Sequence, residues 1–234
     1  ASPREIPAVR RNRVSGRTAL ALSGVVMLFA CLNAPVLLPF PLLVLVYFTG
    51  WRLPPRWRPP LRLLLATAAS TLALEAGAWL DNFLRNAPAP ALFHPQLIPD
   101  LVASVGVYSA WFLTWWLALR YYRFTTAEVF VTTGLYGVLI EQQGKIFLAG
   151  LKTFPTGLVL WAFVALAYGA TMALAVQLGG EGFPGTRRHW AKYPLTWLGL
   201  VVTTFVTSWI WGLILMAVRF APPKRGPMRE HPFW

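Results

Sequence analysis

Leu63 to Leu84 is a run of 22 largely apolar residues, and it is one of several such runs in the chain. A helix of about 20 apolar residues is what a hydrocarbon core about 30 Å thick demands. Within that core every backbone N–H and C=O must be paired internally, which leaves only helices and closed barrels. Runs of this length read as helices. The expected fold class is therefore all-α: a polytopic transmembrane helical bundle of about six to seven membrane segments, one or two of them broken or re-entrant hairpins.

Composition supports the lipid setting. Hydrophobic residues make up 56% of the 234 and charged residues 12%, where a soluble domain carries about a quarter. The net charge of +13 comes from 21 Lys and Arg against 8 Asp and Glu. In a soluble chain that excess would point to nucleic acid. Here the basic residues flank the apolar runs, where they orient a membrane protein and meet anionic head groups, so nucleic acid is not an expected partner. Trp51, Trp57, Trp79, Trp190 and Trp197 fall near the ends of runs, as interfacial anchors do.

Residues 1–17 hold Arg4, Arg10, Arg11, Arg13 and Arg17 and read as a basic cytoplasmic tail. The apolar stretch Thr18 to Gly50 follows, with no small-residue cleavage pattern to mark a signal peptide. Asn33-Ala34-Pro35, then Pro39 and Pro41, interrupt it. Proline removes a backbone donor and crowds the preceding turn, so segments 18–33 and 36–50 are predicted to form a helical hairpin. Residues 51–62 (WRLPPRWRPPLR) carry Arg52, Arg56, Arg58 and Arg62 among four prolines and read as a loop on the same face as the tail.

Segments 63–84 and 101–119 are then expected to cross outward and back, joined by the proline-punctuated loop Arg85 to Asp100. Segments 156–178 and 194–220 are two further spans, and 221–234 is a polar tail. The stretch 125–143 has two readings. It is a full crossing, or a re-entrant hairpin whose polar turn Glu141-Gln142-Gln143-Gly144-Lys145 stops inside the membrane. Full crossing puts 14 Lys and Arg inside and 7 outside; re-entry puts 17 inside and 4 outside. The positive-inside rule prefers the second, while hydropathy mildly prefers the first. Together 18–220 form one transmembrane domain in a bacterial-type or archaeal cytoplasmic (inner) membrane, N-terminus inside. The broken stretches 18–50 and 125–154 hold corresponding places in the two halves, as in some transporters, but their sequences do not align.

Few residues offer chemistry. Glu75 lies near the middle of its run, where a carboxylate costs several kcal/mol and needs a partner, a proton or a wet cavity. Asn82, seven positions on, returns to nearly the same face. Together with Glu141, Gln142 and Gln143 these are the candidate buried polar or permeation residues. Glu75 as a structural carboxyl group bonded to a Thr or Tyr of a neighbouring helix is the competing reading. Asp81 and Arg85 have the spacing of a surface pair, and Glu128 is expected to pair with Arg120 or Arg123. Thr204, Thr207 and Ser208 have helical spacing and suit hydrogen bonds across a helix interface. Arg10, Arg11, Arg13, Arg52, Arg56, Arg58 and Arg62 are the expected head-group and orientation residues.

His94, His189 and His231 lack ligand spacing and Cys31 stands alone, so neither a metal nor a cofactor is expected. No nucleophile motif, zinc-binding H-E-x-x-H or phosphate-binding glycine loop is present. No catalytic residue is assigned. Three classes of function follow. The first is a non-catalytic subunit or scaffold of a larger membrane assembly, with other membrane subunits or a second copy, and lipids, as partners. The second is a transporter or channel using Glu75 and the Glu141 turn. The third is an intramembrane lipid-modifying enzyme using Glu75, Asp81 or Glu141.

Overall fold

A computed structural model describes residues 12–87, 92–223 and 227–234. Eight α-helices are present among them and no strand: α1 (Asn12–Ala30), α2 (Pro39–Thr49), α3 (Pro59–Arg85), α4 (Leu97–Tyr121), α5 (Thr126–Ile140), α6 (Lys145–Lys152), α7 (Gly157–Gly179) and α8 (Lys192–Ala217). Short 3₁₀ turns, Pro35–Leu37 and Glu141–Gly144, precede α2 and α6. Helices α3, α4, α7 and α8 are long and apolar enough to cross a membrane, and the chain is multi-pass by that measure. Stretches 18–29, 35–49 and 126–140 form shorter apolar helices.

Local chemistry sets the boundaries. Pro39 and Pro59 open α2 and α3, where the missing N–H has no helical partner to lose. Gly50 closes α2 at φ 75°, a left-handed conformation glycine adopts without a Cβ penalty. Thr125 and Glu128 open α5 as a capping box: the Thr125 N–H donates to Glu128 Oε2 at 2.7 Å, and the Glu128 N–H to Thr125 Oγ1 at 3.2 Å.

Helix α7 lies at the centre, packed against α2, α3, α5 and α6. Its small residues permit this. Gly169 sits against the Phe130 carbonyl and Gly134 against the backbone of Ala165, so α5 and α7 run antiparallel at backbone distance. Gly179 sits against Arg62 and Leu63 at the start of α3. Where α4, α5 and α7 meet, Trp111 is fully buried against Tyr108, Tyr136 and Tyr168, with ring centroids 5.4–6.2 Å apart.

These contacts sort the connections into two ends. Leu53 bonds Leu178, Arg123 bonds Arg187, and Thr126 bonds Gln177, which gathers 50–62, 120–126 and 177–192 into an arginine-rich end. At the opposite end Leu97 and Ile98 donate to the carbonyls of Pro232 and Phe233. The segment after α8 therefore lies at the end of the bundle away from Arg52–Arg62.

The resemblance between the two broken stretches does not extend to their shape. Helices α1 and α2 fold back on each other, with Gly24 against Pro41 and Leu45. The Glu141–Gly144 turn instead leads onward into α6, whose Gly150 meets Gly157 at the start of α7.

Candidate functional site

On α3, Thr67, Thr71 and Glu75 follow one another at four-residue steps, and on α4 so do Asp100, Ser104 and Tyr108. Each set lies along one side of its helix, and the two sides face each other across a cleft of about 400 Å³. Glu75 is buried and Asp100 is completely so. The Tyr108 hydroxyl donates to Glu75 Oε2, and the Glu75 carboxyl group lies close enough to that of Asp100 for the two to interact. Asp100 Oδ1 accepts the His94 backbone N–H at 3.0 Å and the Phe93 N–H also approaches the carboxyl group, whereas buried Asp100 Oδ2 has no donor in hydrogen-bond geometry among the described residues. A second carboxyl group is its natural partner only if one of the two carries a proton.

His94 sits beside this pair, buried in the loop before α4. Its Nδ1 accepts the Gln96 N–H at 3.2 Å, so the ring proton belongs on Nε2, which is 3.2 Å from the Pro223 carbonyl. Trp79 Nε1 donates to the Pro95 carbonyl at 2.9 Å, and its ring stacks on Phe83 and Phe233. Trp79 is thus buried in protein (6% exposed) and is not the interfacial anchor its position suggested. Loop 92–96 and the segment 231–234 together cover the carboxyl pair from the end opposite the arginines.

Toward the arginine-rich end the polar side of α3 continues. The Thr71 hydroxyl donates to the Thr67 carbonyl at 2.8 Å, while Thr67 Oγ1 and Ser70 Oγ are buried without partners. Beyond them Arg62, 4% exposed, donates to the Glu181 carbonyl. Polar groups thus follow one another from His94 and Asp100 through Glu75 and Tyr108, then Thr71 and Ser104, then Thr67 and Ser70, to Arg62.

The remaining candidates are scattered. Asn82 donates to Ala78 of its own helix at 2.8 Å, apart from the carboxyl pair. Asp81 and Arg85 pair at 3.0 Å, with Arg85 also reaching the Asn33 carbonyl. The Glu141–Gly144 turn joins α5 to α6; Gln143 is exposed there, and the side chains of Glu141 and Gln142 lie outside the described residues. Thr204 accepts from Tyr136 of α5 at 3.1 Å, Thr207 donates to the Gly106 carbonyl of α4 at 2.6 Å, and the Ser208 backbone abuts Gly106. Of the arginines, Arg10 and Arg11 lie outside the described residues, as does the Arg13 side chain. Arg56 and Arg58 are exposed. Arg52 meets the Gln177 amide oxygen with both terminal nitrogens, at 2.6 and 2.7 Å, once that amide is turned to suit its neighbours.

Two features escape sequence reasoning. Asp100, with Tyr108 and His94, completes the Glu75 site. Its four-residue spacing to Ser104 and Tyr108 is the signal that could have found it. Glu128 pairs with Lys192, 64 positions away, at 2.6 Å, rather than with Arg120 or Arg123. Tyr193 also donates to Glu128 at 2.6 Å, and Lys192 caps the Arg123 carbonyl at 2.9 Å.

No protein-family model matches the chain, and no curated protein or solved structure is measurably similar to it. The reading of the site rests on its chemistry.

Proposed function

We propose that this is a proton-handling membrane protein, a transporter or channel in the broad sense, whose working element is the Glu75–Asp100 carboxyl pair between α3 and α4. The observation that carries it is the approach of two buried carboxyl side chains, one of whose oxygens has no donor in hydrogen-bond geometry among the described residues. Such a pair suits a single shared proton, and intramembrane carboxyl groups in a polar file are how proton pathways are built. Tyr108 and the hydroxyls of Thr67, Ser70, Thr71 and Ser104 supply groups that can pass a proton or hold water. In this reading α3, α4, α7 and α8 cross the membrane, with the shorter apolar helices α1, α2 and α5 packed alongside them. The arginine-rich end faces the cytoplasm of a bacterial-type or archaeal cell, by the positive-inside rule.

The test is proton flux in liposomes carrying the purified chain and a trapped pH dye. Glu75→Gln and Asp100→Asn each remove the shared proton site while keeping shape, and each is expected to lower flux on the order of tenfold or more, the factor set by about 1.4 kcal/mol of lost interaction. Unchanged flux in both removes the pair from the mechanism.

A second reading, the subunit or scaffold, draws on α8. Only Lys192, Thr196 and Leu200 of its 26 residues are buried, and Phe205, Trp209 and Met216 stand out into the surroundings. That surface suits another subunit as well as lipid. A lone monodisperse chain in mild detergent counts against an obligate partner.

A further inference from the structure

Away from the carboxyl pair, an apolar groove of about 680 Å³ runs between α5 and α8, floored by Val131, Leu135, Leu139 and Trp197. It leads to the arginine-rich end, where a second and polar pocket of about 430 Å³ contains Arg123, Arg188, His189 and Lys192. Glu128 and Tyr193 line both, so the two spaces meet. A hydrocarbon trough ending in a cationic pocket has the polarity of a phospholipid.

The charges within the pocket decide which kind. Lys192 is consumed: its ammonium is bonded to Glu128 and the Arg123 carbonyl and lies over the rings of Phe124 and Tyr193, at 4.7 and 5.0 Å. The Glu128 carboxylate is correspondingly neutralised by Lys192, Tyr193 and the Thr125 N–H. That leaves the exposed guanidinium groups of Arg123 and Arg188, neither of which donates to a protein acceptor among the described residues. Trp190, 72% exposed, stands beside them at the level where indole rings settle among head groups.

We infer that the α5–α8 groove is a binding site for an anionic phospholipid, its acyl chain against Val131 and Leu135 and its phosphate between Arg123 and Arg188. The Glu128–Lys192 pair is the fixed partition between the two compartments. This assignment stands whether or not the carboxyl pair moves protons.

The experiment is native mass spectrometry of the full chain, delipidated and titrated with phosphatidylglycerol or phosphatidylcholine of identical chains. Phosphatidylglycerol is expected to be retained preferentially, on the order of tenfold, since its net negative charge meets two guanidinium groups while the choline of phosphatidylcholine offsets its phosphate. The double substitution Arg123→Gln/Arg188→Gln should bring the ratio close to one. Arg219→Gln/Arg229→Gln, exposed at the opposite end of the bundle, should leave the preference intact. Leu135→Trp, which fills the trough, should reduce retention of both lipids. Equal retention by the unaltered chain overturns the proposal. So does an equal loss in the Arg219/Arg229 control, full retention in Leu135→Trp, or a dimer that excludes lipid from the groove.

Discussion

Tyr108 is the residue on which the Glu75 site turns, because its hydroxyl is the described side-chain donor that reaches Glu75 from the facing helix. Tyr108→Phe keeps the ring against Trp111 and removes one hydrogen atom's donor. Leaving a buried carboxyl oxygen short of a partner costs about 1–3 kcal/mol, so the variant should unfold at lower temperature in a detergent melt. Glu75→Gln should cost less than Tyr108→Phe, since an amide can still accept from Tyr108 and offers Asp100 Oδ2 an N–H. An equal or larger loss in Glu75→Gln would mean that the pair does not share a proton. Glu75 was legible because an acidic residue in an apolar run stands out. Asp100 was not, because prolines before it made it look like the end of a loop. Helix α4 begins at Leu97 instead, and Pro99 sits in its first turn, where proline is tolerated. That start draws Asp100 inward beside Glu75.

Between elements, two interfaces carry specific demands. Gly137 lies under the Tyr168 ring on α7, and a Cβ there would come within 2.6 Å of the ring carbon Cγ. Gly137→Leu should force α5 away from α7 and destabilise by about 1–3 kcal/mol, the range for overpacking a filled core, read as a lower melting temperature. Gly212, with nothing near its Cβ position, should accept alanine without loss. The Glu128–Lys192 pair joins the start of α5 to that of α8, with Lys192 8% and Glu128 27% exposed at their side chains. Lys192→Met alone strands Glu128 and should cost about 1–2 kcal/mol, discounted for the partial exposure of the carboxylate. Lys192→Met with Glu128→Gln should recover part of it, and a double-mutant cycle reads the difference. Helix identities were readable from run length and punctuation. The pairing of α5 with α7 was not, because it depends on glycines and alanines dozens of positions apart whose fit only the folded chain reveals.

For the whole molecule, the arrangement of ends is the sharpest expectation. In a Cys31→Ser background, Arg56→Cys and Glu230→Cys place single thiols at opposite ends of the bundle, both at exposed positions. An impermeant maleimide should label one from outside intact cells and the other only after lysis. Labelling of both from the same side would select the re-entrant reading of 125–143 and its 17-to-4 charge division. Lipid-facing character was evident from apolar content alone. The end of the bundle that 231–234 joins was not, because charge counting weighs loops without knowing which segments touch.

Helix α8 grips α4 mainly through backbone carbonyls: Thr207 bonds that of Gly106, Thr203 that of Ala110 at 3.4 Å, and the Trp211 indole that of Val102 at 2.7 Å. A carbonyl belongs to every residue whatever its side chain. Mutational drift at Val102, Ala103 and Val105, which are exposed or half-buried, should therefore leave the fastening untouched. At Gly106 any added bulk would pry the two rods apart, and a saturation scan of these four positions would return wide latitude at three and none at the fourth.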